Sequence, residues 1–407
     1  MPHILLLVPD IGETSSIKRA EQFLARGCAV TMLGFRRERY HRDFAPHWPY
    51  LSLGRTHDER YGQRIAALAN AFRIVFRHRR RLAGASAIYA RNIDQLLLAL
   101  FVRRLIRRRV PIAYEVLDIS AAFVHGGPAS RLLRWVERRG LARIRLLALS
   151  SPAFHARYFV PIQRYAGDWL LIENKLQAVP PDSLRARAPG ARPYKWRIGY
   201  FGLIRGEATF ALMCRLAQRF PDTVQFRFRG VLTTVTEERF RAALARHPNM
   251  VFDGDYENPR DLAALYGEVD LAWAIDLEHA DHNSRWLLPC RFYEAGFFGV
   301  PCLAVRGFAF GDLIDALGAG WTFAEPLEQA LVAFLEAVTA EEVAEKRRRL
   351  RALPTETFVA GPEIDALCRR LGAEPLAAAP QPPGGDLRAL GERLELGPDD
   401  RRVHLGG

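Results

Sequence analysis

Residues His3-Ile4-Leu5-Leu6-Leu7-Val8 form a short, almost wholly apolar run, followed by the loop Pro9-Asp10-Ile11-Gly12-Glu13. A helical stretch from about Ser15 to Arg26 comes next and closes on Gly27, and a second apolar run spans Ala29–Leu33. A strand that is wet on one face alternates polar and apolar residues. A run without alternation is covered on both faces, which is the condition of a parallel sheet flanked by helices. The pattern recurs at Ala87–Tyr89, Ile112–Val116, Leu146–Leu149 and Trp169–Ile172, with helices between, such as Ile93–Arg108 and Ser130–Arg139. Residues 1–178 therefore read as one doubly wound α/β domain. A polar, Pro-rich stretch over 179–192 reads as a linker. The alternation of strand and helix then restarts with strands at Arg197–Phe201, Val224–Arg229, Met250–Phe252, Leu271–Ile275 and Pro301–Val305, giving a second domain over 193–350. Residues 351–372 are expected to be helical. The Ala/Pro/Gly-rich residues 373–407 are expected to form a mostly disordered tail. The fold class is α/β, with two Rossmann-like doubly wound domains facing each other across a cleft.

Composition narrows the classes of function. The 407 residues are 49% hydrophobic and 25% charged, a globular balance. The five cysteines are scattered, form no CxxC pair and suggest no disulfide framework, so a cytoplasmic location is expected. No apolar run approaches the ~20 residues of a membrane span, and the N-terminal run reads as a strand rather than a signal peptide. The net charge is +13 and comes almost wholly from arginine. Residues 1–180 hold 30 basic and 13 acidic side chains, whereas the remainder is slightly acidic. The densest blocks are Arg73, Arg77, Arg79, Arg80, Arg81; then Arg103, Arg104, Arg107, Arg108, Arg109; then Arg131, Arg134, Arg138, Arg139, Arg143, Arg145. They alternate with apolar residues at helical spacing. Two readings remain open: solvated helix faces, or docking on an anionic membrane surface, where each Arg contributes ~1 kcal/mol. Nucleic acid is not expected as a partner, because no recognition motif accompanies the charge.

Ligands of paired doubly wound sheets bind beyond the carboxyl ends of the strands. A dinucleotide enzyme would need a glycine-rich turn after the first strand, but that turn holds only Gly12. The most informative segment is Asn283-Ser284-Arg285-Trp286-Leu287-Leu288-Pro289-Cys290-Arg291-Phe292-Tyr293-Glu294-Ala295-Gly296-Phe297-Phe298-Gly299-Val300-Pro301. A polar turn leads into a short helix that carries Arg291 and Glu294 three residues apart, on one face. The start of such a helix offers free N–H groups to a phosphate, and a carboxylate one turn on can accept from ribose hydroxyls. A plain surface ion pair is the competing reading.

This segment resembles the sugar-nucleotide motif of the two-Rossmann-domain (GT-B) glycosyltransferases of family 4, in particular a bacterial subgroup of succinoglycan-type exopolysaccharide synthesis. In that family a helix glutamate followed by G-x-P holds the donor ribose, and Glu294 stands there. An acid often stands eight residues earlier, where this chain has Trp286. The resemblance further implies that Gly202 and Arg205, in Ile198-Gly199-Tyr200-Phe201-Gly202-Leu203-Ile204-Arg205-Gly206-Glu207, hold the donor diphosphate. Arg205 and Arg291 would then stabilise the leaving group. Asp118, at the end of Glu115-Val116-Leu117-Asp118, matches the place of a polar residue near the reacting centre, either as a sugar contact or as a base. It could equally cap the next helix. Pro9-Asp10-Ile11, Arg91-Asn92-Ile93-Asp94, His125 and Asn174 are weaker candidates. Asp276, Glu278 and Asp281 follow no metal-ligand pattern and read as an acidic loop rim, so neither metal nor cofactor is expected. The expected activity is transfer of a hexose from a nucleotide diphosphate sugar to a lipid-linked oligosaccharide, at the inner face of the membrane. A family-4 enzyme is expected to retain the anomeric configuration, the departing phosphate taking the acceptor proton; inversion would require a base such as Asp118. The alternatives are a non-catalytic scaffold of a polysaccharide complex and a sugar-nucleotide epimerase of the same two-domain design.

Overall fold

The computed structural model describes residues 1–37, 44–55, 61–107, 109–179 and 193–373, with the side chains of 61–66 excepted. Most of the expected linker, all of the expected tail beyond residue 373, and Arg108 of the second basic block lie outside the described residues. The first lobe is a seven-stranded sheet built from β1 (His3–Val8), β2 (Ala29–Arg36), β3 (Tyr50–Arg55), β4 (Ala87–Arg91), β5 (Ile112–Val116), β6 (Leu146–Leu149) and β7 (Trp169–Leu171). Its order is β3-β2-β1-β4-β5-β6-β7. The second lobe has six strands: β8 (Trp196–Ile204), β9 (Val224–Leu232), β10 (Met250–Phe252), β11 (Leu271–Trp273), β12 (Cys302–Val305) and β13 (Gly320–Phe323). Its order is β10-β9-β8-β11-β12-β13. Every pairing is parallel. In both sheets the winding reverses beside the first strand, between β1 and β4 and between β8 and β11. These are the switch points where such folds open a crevice.

Burial on both faces explains the unbroken apolar runs. Leu5 and Leu7 of β1 join Ile88 and Leu147 on one face of the first sheet. Ile4, Leu6 and Val8 join Tyr89 and Ala148 on the other. In the second sheet Ile198 and Tyr200 pack on one side and Phe201 on the other.

Several features differ from the sequence reading, among them the edge strand β13, which it did not include. The edge strand β3 was not expected, because Tyr50-Leu51-Ser52-Leu53-Gly54-Arg55 mixes polar residues and a glycine into a half-exposed run. Strand β8 runs three residues further than expected, so Gly202 lies within a strand and not at its end. Finally, the helix Pro362–Arg370 packs on the first lobe. Its Ile364, Leu367 and Cys368 sit in one core with Ile4, Ala20 and Phe23, and each large apolar side chain so buried contributes ~1.5–3 kcal/mol. Arg26 Nε to Asp365 Oδ1 (2.5 Å) and Arg370 Nη1 to Asp168 Oδ1 (2.7 Å) fasten the same helix. The chain thus crosses between lobes twice, and the crossings run together. Leu176 donates to Phe358 O and accepts from Ala360 N, both at 2.8 Å.

Candidate active site

The site begins at the carboxyl end of β8. Gly202 has φ +103°, a conformation in which a side chain is strained. It pairs with Gly230 of β9, where an added Cβ would lie 2.1 Å from the Gly202 carbonyl oxygen. Two glycines are therefore required for the strands to continue. A Cβ on Gly202 would point at Tyr256 Oη (3.7 Å) and Arg291 Nη2 (3.8 Å), so the bare backbone leaves room beside the Arg291 guanidinium.

Arg291 and Glu294 lie on the helix Cys290–Phe297, whose Pro289 cap makes no side-chain hydrogen bond; Phe292 N–H donates to the Pro289 carbonyl at 3.1 Å, which leaves the N–H groups of Cys290 and Arg291 at the helix start. The two side chains form no ion pair with each other. Arg291 Nε donates to the Phe201 carbonyl at 2.9 Å, and the guanidinium lies 4.5 Å over the Tyr200 ring. Among the described residues no carboxylate is within ion-pair distance of Arg291, so its terminal nitrogens remain for an anion. Glu294 is 6% exposed and accepts from Asn258 Nδ2 (2.7 Å) and Tyr266 Oη (3.1 Å). Burial raises its pKa, against the pull of the Tyr266 bond, Arg291 and Lys18.

Arg205 is placed otherwise than a diphosphate clamp alone would require. Its Nη2 is 2.6 Å from Asp276 Oδ2 and its Nε is 3.3 Å from Glu278 Oε2. Burial works against its charge, but Asp276, Asp118 and Glu278 outweigh it and raise the pKa. The two acids read as a loop rim thus hold this arginine, which ties the loop after β11 to the end of β8. The charges of Arg205, Arg291, Glu294 and Lys18 are all felt at Cys290, the first residue of the helix Cys290–Phe297.

The first lobe contributes Asp118 and Ser151, just beyond the ends of β5 and β6, and Lys18, from the helix after β1. Asp118, exposed after β5, accepts from Asn283 Nδ2 at 2.8 Å, and the N–H of Ile119 donates to Asn283 Oδ1 at 2.9 Å. One buried amide of the second lobe therefore holds two consecutive groups of the first. Trp286, where the family often has an acid, packs against the first lobe's core together with Leu287, and its carbonyl accepts from Ser151 Oγ. The departure at this position thus replaces a charge with a lobe contact. Lys18, on the helix Thr14–Leu24, has its pKa pulled down to about 8 by burial and by Arg19, while Cys290 and Glu294 pull the other way.

Below the first lobe's switch point lies a buried charge network. Glu115 (1% exposed) takes Arg19 Nη2 at 2.5 Å and Arg91 Nε at 2.7 Å. Arg91 also donates to Ser15 and Ser16. Burial alone would raise the Glu115 pKa, but the two guanidiniums bring it below the usual range. Asp10 bonds the backbone N–H of Gly12 and Arg37 and so shapes its loop. Asn174 lies in the first crossing, beside Lys175, which bonds Glu173 and the Glu356 carbonyl. His125 meets Asp281 across the lobes at 3.1 Å. Lys18, Asn258, Tyr266 and the bridging role of Asn283 were missed in the sequence. The quoted motif contains Asn283, but its contact partner lies 165 residues away.

No protein-family model matches the chain. Among solved structures, Anabaena Alr3699/HepE in complex with UDP and glucose superposes with a TM-score of 0.64 at 15% identity, over 92% of this chain and 100% of that one. Sucrose-phosphate synthase from Thermosynechococcus elongatus gives 0.67 at 15% identity, over 92% and 100%. The lipopolysaccharide outer core galactosyltransferase WaaB gives 0.60 at 11% identity, over 91% and 99%. These likenesses establish the GT-B architecture. Among curated proteins, succinoglycan biosynthesis protein ExoL of Rhizobium meliloti (strain 1021) is 31% identical over 386 residues, which is 93% of this chain and 95% of that protein. With nearly the whole of both sequences aligned, the chain belongs to the family of the succinoglycan biosynthesis protein ExoL, with the fold of the GT-B glycosyltransferases.

Proposed function

We propose that this glycosyltransferase of polysaccharide synthesis takes a hexose from a nucleoside diphosphate sugar gripped by its second lobe. The observation that carries the reading is the opening between the carboxyl end of β8 and the start of the helix Cys290–Phe297. There Arg291 has unpaired terminal nitrogens beside the bare backbone of Gly202, and Glu294 lies buried one helical turn away. In this reading the diphosphate rests against Gly202, Arg291 and the backbone N–H groups of Cys290 and Arg291, with Lys18 approaching from the first lobe. Glu294, oriented by Asn258 and Tyr266, accepts from the ribose hydroxyls. As the bond to the sugar breaks, negative charge grows on the departing phosphate, and Arg291 and Lys18 stabilise it. Arg205 works mainly by fixing the Asp276–Glu278 loop, and its field reaches both Asp118 and Cys290. Asp118, held by Asn283 in the facing lobe, lies on the acceptor side, where it contacts the sugar or takes the acceptor proton. Closure of the lobes excludes water and limits hydrolysis. No cofactor is invoked.

The acceptor is proposed to be a lipid-linked oligosaccharide and the working position the inner, anionic membrane surface. No helix among the described residues is long and apolar enough to cross a bilayer. The support for surface docking is a groove of about 810 Å³ between the helices Asn92–Leu105 and Pro128–Leu141. Arg103, Arg104, Arg109, Arg139 and Arg143 line it beside Trp135. Trp135 and the nearby Leu132 are 50% and 60% exposed. Apolar tips ringed by guanidiniums suit the boundary of headgroups and acyl chains. The test of the enzyme is release of nucleotide from a panel of labelled UDP- and GDP-sugars with membrane extract as acceptor. Turnover of one donor, abolished by Glu294→Ala, is expected; binding without turnover would favour the scaffold reading instead.

A further inference from the structure

Where the loop before Asn283 meets the first lobe, three side chains point at one spot. His125 follows the short helix Ala121–Val124 of the first lobe, and its Nε2 lies 3.1 Å from Asp281 Oδ2 of the second. His282 Nδ1 lies 2.6 Å from Asp281 Oδ1. The two imidazole rings are 5.3 Å apart, and the ligand atoms of all three residues fall within 4.8 Å of one another. His282 is buried at 3% side-chain exposure, whereas His125 and Asp281 face solvent. The ring of His279 packs 5.1 Å from His282 and closes one side.

We infer that His125, Asp281 and His282 form a binding site for a zinc-class divalent cation that joins the two lobes. The donor set is two imidazoles and one carboxylate, the borderline N/O set that suits zinc better than magnesium or calcium. Tetrahedral ligands at zinc distances lie about 3.3 Å from each other. The two imidazole–carboxylate separations, 2.6 and 3.1 Å, are slightly shorter than that, so small side-chain rotations would open the site to the ion, with water in the fourth position. Among the described residues no Lys or Arg pairs with Asp281, while the neighbouring Asp276 and Glu278 are engaged by Arg205. On binding, the cation takes the place of the protons through which the two imidazoles, the present partners of this carboxylate, reach it.

The ligands come from both lobes, so the site is complete only when the lobes are together. Whatever binds the closed form alone shifts the equilibrium towards it. Zinc would therefore reinforce the contact that Asn283 makes with Asp118 two residues further along the chain. A donor nucleotide that closes the lobes would raise zinc affinity in return. This site is independent of the residues that grip the donor, and its test does not require turnover.

The experiment is a zinc titration of the full chain, stripped of metal by a chelator and competed with a chromophoric indicator. Cobalt is substituted in parallel to report coordination. One equivalent of zinc, a four-coordinate cobalt spectrum, and loss of affinity in both His125→Ala and Asp281→Asn are expected. The loss should be at least the ~10–100-fold that removal of a supporting partner alone costs. Thermal melts without zinc should match the parent, because His125 and Asp281 lie at the surface; His125→Gln serves as a second variant. Absence of saturable uptake, or equal affinity in His125→Ala and the parent, would overturn the inference. Binding that persists in His125→Ala but not in Asp281→Asn would likewise overturn its inter-lobe character.

Discussion

Replacement of Asn283 by alanine isolates the contact between the lobes from the chemistry of the donor. Its amide makes two bonds across the cleft, 2.8 Å to the Asp118 carboxylate and 2.9 Å from the Ile119 N–H. A bond to a charged group is worth ~1.5–3 kcal/mol, but Asp118 is exposed and water competes, so ~1 kcal/mol is the appropriate share. Ile119 is 3% exposed, and a buried N–H left without an acceptor costs ~1–3 kcal/mol. The closed arrangement should therefore lose about 2–4 kcal/mol, or roughly 30–900-fold in the ratio of closed to open molecules. When the lobes part, water satisfies both groups with or without Asn283, so the penalty falls on the closed form. Single-molecule energy transfer between dyes on the two lobes should show the shift directly. kcat/KM should fall by a similar factor while the urea midpoint changes little, since each lobe keeps its own core. Asn283→Asp should be worse at neutral pH, because it sets a carboxylate against Asp118, and should recover as the solution is acidified. If Asn283→Ala retained kcat/KM within threefold and an unaltered dye separation, the reasoning would fail.

Four further outcomes are expected. Glu294→Gln should abolish donor binding measured by calorimetry yet raise the thermal midpoint at pH 7. Burial raises the pKa of this carboxyl, so its ionised form costs stability as pH climbs above the usual carboxylate range, and a neutral isostere removes that cost. Glu115→Gln should lower stability by about 3–5 kcal/mol in urea denaturation, because Arg19 and Arg91 would be left buried with no carboxylate between them. The pKa of Glu115 is depressed, so its contribution is present above the ordinary glutamate pKa and disappears as pH falls through the folded value. Donor affinity should weaken as pH rises through about 8, where Lys18 loses its charge; Lys18→Met should bind more weakly throughout and lack this step. Arg139→Glu with Arg143→Glu should reduce sedimentation with phosphatidylglycerol vesicles by tenfold or more, since each lost arginine removes ~1 kcal/mol and each glutamate adds repulsion. Vesicles of neutral lipid should show no difference.

Strand positions were legible because a parallel strand buried on both faces advertises itself locally as an unbroken apolar run. His3–Val8 and Leu146–Leu149 need nothing from the rest of the chain to be recognised. The helix Pro362–Arg370 could be read as a helix, but its partner could not, since Ile364 and Leu367 would suit either lobe equally well. At the site, the segment around Arg291 and Glu294 was legible from its spacing and its family likeness. The pairing of Arg205 with Asp276 and Glu278 was not, because a surface arginine and two loop acids leave no short-range signature of having met. Lys18 was hidden for the same reason, as a lysine on an amphipathic helix whose neighbours come from the other half of the molecule.

The adjacent crossings at Leu176 and Val359 have a mechanical consequence. A single tether would let one lobe wander and twist, whereas two parallel backbones bonded to each other resist torsion and sliding. Bending along their common line is the soft direction that remains. The mouth should therefore gape and shut through one repeatable arc, bringing Asn283 back onto Asp118 in the same alignment at every cycle.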